Sequence, residues 1–237
     1  MSLTDLRKEL HALSDPKRAV DATRFFKTAP GEYAHGDVFM GIPVPQQRKV
    51  ARKFKDLPHK DILTLLKSKL HEERSVALIL WTQRYEKADQ TERERIVKDY
   101  FAHLDYVNNW DLVDVSRSIV GEWVHHHNDT TLLDKLARHE NLWYRRVGIV
   151  STYPLILKQN AKPTLRLCAL LINDPEPLIH KACGWMLREV GKHIDRAILL
   201  QFLDEHSEHM PSIMLSYACE HLDTPVRKKY QTMRRKG

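Results

Sequence analysis

Apolar residues along this chain recur at spacings of three and four, and segments of that kind follow one another with short polar joints. The pattern predicts helices over roughly 3–13, 15–28, 44–56, 59–69, 71–87, 89–103, 108–126, 130–139, 142–158, 163–173, 176–192, 195–206, 210–222 and 224–235. Helix-start chemistry supports several of these. Asp15 precedes "PKRAVDATRFF", and Pro175 and Pro177 flank Glu176. The long irregular stretch "APGEYAHGDVFMGIPVP", 29–45, holds three of the eight glycines and three prolines, and reads as a functional loop. Glycine is otherwise scarce, which argues against a sheet with many tight turns.

Five windows repeat at a regular interval. "HEERSVALIL" begins at His71, "VNNWDLVDVS" at Val107, "NLWYRRVGIV" at Asn141, "PLIHKACGWM" at Pro177 and "PSIMLSYACE" at Pro211, at intervals of 36, 34, 36 and 34. Three of them carry a basic residue near the fourth to sixth position: Arg74, then Arg145 and Arg146, then Lys181. A period in this range predicts an all-α fold, an α-solenoid of tandem helical repeats whose second helices line a concave surface. One such domain is expected over residues 1–237, with a basic tail from about 224. Regular helix lengths in a simple bundle are the alternative.

Charge adds a partner class. The formal net charge is +7, unevenly spread. Residues 1–70 carry 14 basic and 8 acidic side chains, residues 71–140 carry 9 and 14, residues 141–223 carry 9 and 9, and the last stretch carries 6 and none. Two basic ends point to a polyanion, although many basic proteins bind none. Cys168, Cys183 and Cys219 lie far apart in apolar-periodic segments and read as reduced core residues of a cytosolic protein. No apolar run of signal or membrane-spanning type is present, so a cytoplasmic protein with no membrane partner is expected. Nucleotide-binding glycine loops, the serine-hydrolase elbow and the zincin motif are all missing.

Trp110 and Asp114 sit four apart, which places an indole and a carboxylate on one helix face, a turn apart. Arg146 and Trp185 fall near equivalent positions of later repeats, so all four are expected to converge in one groove. Each also has an ordinary explanation. Indoles are usually core, Asp114 can pair with Arg117, and Arg146 can hold a carbonyl. In "PVPQQRKVARKFKDLP", Arg48 and Arg52 share one helical stripe beside Lys49, which suits either phosphates or plain solvent. The histidine run His125, His126 and His127 lacks further ligands at metal spacing and reads as a solvated helix end, with no metal expected.

Taken together, "RFFK" (24–27), "MGIPVPQQR" (40–48), "NNWDLVD" (108–114), "NLWYRR" (141–146) and "IHKACGWMLREVGK" (179–192) resemble the AlkD family of DNA glycosylases. These are bacterial alkylpurine repair enzymes built from HEAT-like helical repeats. The resemblance covers nearly the whole chain and implies a monofunctional DNA glycosylase, without cofactor, that hydrolyses the N-glycosidic bond of cationic N3- or N7-alkylated purines. It places the catalytic carboxylate on Asp114, the flanking aromatics on Trp110 and Trp185, and the cleft arginine on Arg146. The DNA surface is expected at Phe25, Pro43, Arg48, Lys49, Arg52, Arg145, Lys181 and Arg188. The implied partner is duplex DNA carrying alkylated bases, met by a monomer associated with the bacterial nucleoid. Two positions depart from the family's habit: Pro43 stands where Gln is frequent, and Phe25 where Tyr is. The alternative readings are a catalytically inactive HEAT-repeat protein that binds damaged or branched DNA, and a scaffold that binds protein.

Overall fold

The computed structural model describes residues 2–234. Among them, regular structure is helical apart from one isolated parallel bridge between Val38 and Leu70. No helix is long and apolar enough to cross a membrane among the described residues. The chain packs as two compact units, Met1–Ile119 and Val120–Gly237.

The first unit is built around one buried helix. Its elements are α1 (Leu3–Ala12), α2 (Pro16–Phe25), α3 (Val44–Lys53), α4 (His59–Leu66), α5 (His71–Lys87) and α6 (Gln90–Ala102). Ser2 and Asp5 form a reciprocal capping box on α1, and Asp15 caps α2, which starts on Pro16. Helix α5 packs against α3, α4 and α6, and every residue from His71 to Trp81 is buried. A helical stretch buried all round, as 71–81 is, has no solvent face, so its polar residues need partners inside the protein. Leu6 and Leu10 of α1, Val50 of α3, and Ile62, Leu65 and Leu66 of α4 complete this core. Each buried aliphatic side chain contributes about 1.5–3 kcal/mol. The stretch 29–43 is irregular, as expected, but firmly tied. The Glu72 carboxylate accepts the backbone N–H groups of Met40, Gly41 and Ile42 at 2.9, 2.8 and 3.2 Å. Gly41 is obligatory there: its φ is +77°, and a Cβ would lie 2.2 Å from the Asp15 carbonyl oxygen.

Helix α7 (Trp110–His127) follows a short 3₁₀ turn, Leu104–Tyr106, and runs through the boundary between the units. The second unit continues with α8 (Thr131–Ala137), α9 (Leu142–Val150), α10 (Tyr153–Leu157), α11 (Lys162–Leu170), α12 (Pro177–His193), α13 (Arg196–His206), α14 (Ser212–Ala218) and α15 (Thr224–Arg234). Helices pair and stack here. α8 lies on α9 and α11 on α12, while α8 also meets α11 and α9 meets α12. Gly184 lets α12 and α14 touch, since a Cβ would sit 2.4 Å from the Met214 carbonyl oxygen.

One expectation is corrected. The predicted helix 142–158 is broken into α9 and α10, because Pro154 has no N–H to offer the Val150 carbonyl and the Thr152 hydroxyl bonds back to the Ile149 carbonyl at 2.7 Å. The basic end is helical as far as residue 234, as the spacing over 224–235 predicts. It forms α15, anchored by buried Tyr230, whose hydroxyl donates to Asp204 at 3.0 Å. Residues 235–237 of that expected tail lie outside the described residues.

Candidate functional site

The first turns of α7 carry two carboxylates with different surroundings. Trp110 and Asp114 are both half-buried, one turn apart on the same face. Asn109, wholly buried, accepts the Trp110 N–H at 2.8 Å and so starts the helix. Arg117 Nη1 donates to the main-chain carbonyl of Asp114 at 2.6 Å. Asp111 points the other way, into the protein, where its Oδ2 lies 2.8 Å from His71 Nε2.

His71 is thereby enclosed by acids. Its Nδ1 lies 3.2 Å from Asp37 Oδ2, so both ring nitrogens face carboxylate oxygens. Burial by itself favours the neutral ring, but the Asp111 charge and the hydrogen bonds to Asp111 and Asp37 outweigh it and raise the pKa to about 9. The ring is an imidazolium at neutral pH. The stability it contributes is complete below about pH 6.5 and is lost as pH rises through about 9. Arg74 Nη2 donates to Asp37 Oδ1 at 2.7 Å, and Arg74 Nη1 donates to the Ser68 and Lys69 carbonyls. Asp37 is buried, which would raise its pKa, yet the His71 hydrogen bond and the Arg74 charge hold it below the usual carboxylate value.

A run of stacked rings joins this cluster to Trp110. The His71 ring stacks on Phe39 (centroids 4.6 Å apart), Phe39 on Phe26 (4.9 Å) and Phe26 on the Trp110 indole (5.2 Å, 21° between planes). Phe25 meets Trp110 edge-on at 5.6 Å and is 65% exposed. Phe25, Phe26 and Phe39 also wall a cavity of about 400 Å³, and Pro43 lines it too. The two residues that depart from the family's habit therefore share one mostly apolar cavity.

The other expected residues divide by surroundings. Arg48, Lys49 and Arg52 are exposed on α3. In the second unit, Arg145 grips Asp174 with two hydrogen bonds, of 2.6 and 3.1 Å, and donates to the His139 and Glu140 carbonyls. Arg146 is buried, with Nη1 on the Leu178 carbonyl at 2.8 Å. Trp185 is half-buried and donates from Nε1 to Glu189 at 3.1 Å. Arg188 donates to Glu189 and pairs with Glu220. Burial would raise the Glu189 pKa, but the Arg188 hydrogen bond and charge, with Lys192 and His193 nearby, lower it. Lys181 is half-exposed on α12.

Sequence reasoning missed His71, Asp37, Asp111, Phe39 and Glu189. "HEER" carried a signal: four polar residues just ahead of the apolar run Val76–Trp81 must be either exposed or partnered, and all four are buried.

The fold has a counterpart among solved structures, and the chain matches a known family. Residues 6–222 match a family described as DNA alkylation repair enzyme. The match spans most of the chain, and the protein belongs to that family. A solved structure described as "Predicted DNA alkylation repair enzyme from Enterococcus faecalis" shares the fold, with a TM-score of 0.67 at 22% identity over 89% of this chain and 97% of that one. No curated protein matches the chain.

Proposed function

We propose that the chain is a monofunctional DNA glycosylase that releases cationic N3- and N7-alkylated purines from duplex DNA. The observation that supports it most is the half-exposed Trp110–Asp114 face of α7, in a chain of the DNA alkylation repair family.

The residue types suit the reaction. An alkylated purine cation leaves with the electrons of its N-glycosidic bond and becomes a neutral base, so no general acid has to protonate it. The difficult species is the sugar, which turns oxocarbenium-like as the bond lengthens. A carboxylate at Asp114 stabilises that positive charge and orients the water that attacks C1′, accepting its proton as the new C–O bond forms. The negative face of the Trp110 indole attracts the same cation, worth about 0.5–2 kcal/mol depending on desolvation. On the resemblance, Trp185 adds a second indole and Arg146 a guanidinium. Exposed Arg48, Lys49 and Arg52 are assigned to backbone phosphates.

A lesion recognised by its charge and its weakened bond implies selectivity against neutral lesions. Purified protein is expected to release N7-methylguanine from a defined duplex and to leave hypoxanthine in place. Efficient hypoxanthine excision would contradict the mechanism. Duplex binding with no release of either base would favour the inactive binding protein.

A further inference from the structure

Behind the Trp110 indole lies a cluster of buried charges that bond cleavage itself does not use. We propose that His71 is a positioning residue for the Trp110 indole: an imidazolium clamped between Asp37 and Asp111 that fixes the orientation in which the indole meets DNA. The inference rests on the proposal that Trp110 faces the substrate.

Two connected routes lead from His71 to Trp110. The first is the ring stack. His71, Phe39, Phe26 and Trp110 follow one another at centroid distances of 4.6, 4.9 and 5.2 Å. A cationic ring lying on Phe39 is attracted by its π face as well as by packing. The second route is the backbone. Asp111, which accepts from His71, is the neighbour of Trp110, and Asn109, which accepts the Trp110 N–H, reaches Asp37 at 3.5 Å. Three separate pieces of chain meet on one imidazole: the 26–43 loop through Asp37, α5 through His71 itself, and the start of α7 through Asp111.

The charge balance makes the clamp conditional. Asp37 and Asp111 face the ring, and Arg74 stands beside Asp37 on the same helix as His71. These two acids and two bases are neutral together. Glu72, next along α5, is already satisfied by three backbone N–H groups of the loop. Loss of the His71 proton leaves a net negative charge in the cluster. It also turns one ring nitrogen into an acceptor that faces a carboxylate oxygen, which is repulsive. The loop and the start of α7 then lose the strongest of their shared anchors at the ring, keeping only the Arg74 and Asn109 contacts, and the stack that holds the indole loosens.

The test follows Trp110 directly. Full-length protein carrying 5-fluorotryptophan is titrated from about pH 6 to about pH 10, with the Trp110 fluorine line assigned through Trp110→Phe. In the wild type that line is expected to shift with a midpoint near 9. Asp37→Asn removes one of the two facing carboxylates and should lower the midpoint; His71→Gln should abolish the titration. In parallel, single-turnover base release should fall with the same midpoint. His71→Gln should be slower by about tenfold at neutral pH with duplex affinity unchanged, as expected for lost orientation. A Trp110 line flat across the range in the wild type overturns the proposal, as does His71→Gln releasing base at the wild-type rate. If His71→Gln does not fold, the midpoint shift in Asp37→Asn decides. A titrating Trp110 line in a protein that releases no base supports the positioning role and rejects the glycosylase reading instead.

Discussion

Arg74 is the fourth residue of α5 and Arg145 the fourth of α9, and each turns back on the loop before its helix. Arg74 donates to the carbonyls of Ser68 and Lys69 and to Asp37; Arg145 donates to those of His139 and Glu140 and to Asp174. The two units thus use one stitch, in which a helix-start guanidinium closes the preceding turn and captures a carboxylate from a distant loop. What differs is the continuation. In the first unit the captured Asp37 also holds His71, and from His71 the ring stack runs to half-exposed Trp110. In the second unit the indole of Trp185 is held by Glu189, a residue on its own helix, one turn away. A repeated basic position is therefore evidence of a repeated structural role, and function has to be looked for in what each unit adds.

The comparison can be broken most sharply at the stitch. Arg145→Met and Arg74→Met each take the guanidinium from a buried carboxylate; Arg145→Met should cost about 3–5 kcal/mol in urea unfolding, and Arg74→Met less, because Asp37 keeps His71. Only Arg74→Met should disturb the Trp110 environment. If Arg145→Met left stability within about 0.5 kcal/mol of wild type and weakened duplex binding instead, Arg145 would be a phosphate ligand and the equivalence would fail. A smaller effect sharpens the contrast between stitch and surface. Exposed Arg48 touches no buried acid, so Arg48→Ala should change stability by less than about 0.5 kcal/mol. It should lower the slope of log affinity against log salt concentration by about one. An unchanged slope would remove Arg48 from the DNA surface.

Much of the helical order was legible because apolar spacing reports burial directly. The same spacing carried 142–158 through as one helix, since Leu155 and Ile156 keep the pattern going while Pro154 ends the hydrogen bonding. The repeated arginines were legible as a pattern, while their partners were not. Nothing local shows that Asp37 returns to Arg74 or Asp174 to Arg145, because those partners lie 37 and 29 residues away. Trp110 and Asp114 could be singled out because both ends of their relationship sit within one helical turn. Asp111, one residue after Trp110, looks like any acid in a first turn; its partner His71 is 40 residues off, and only the fold joins them.

That glycosidic bond cleavage belongs to the Trp110–Asp114 face is the proposal on which the other roles depend. Its most direct test is single-turnover release of N7-methylguanine from a defined duplex, wild type against Asp114→Asn, at saturating protein. The wild type is expected to release the base and the variant to be slower by roughly a hundredfold or more, with duplex affinity retained. Equal rates for the two proteins would contradict it.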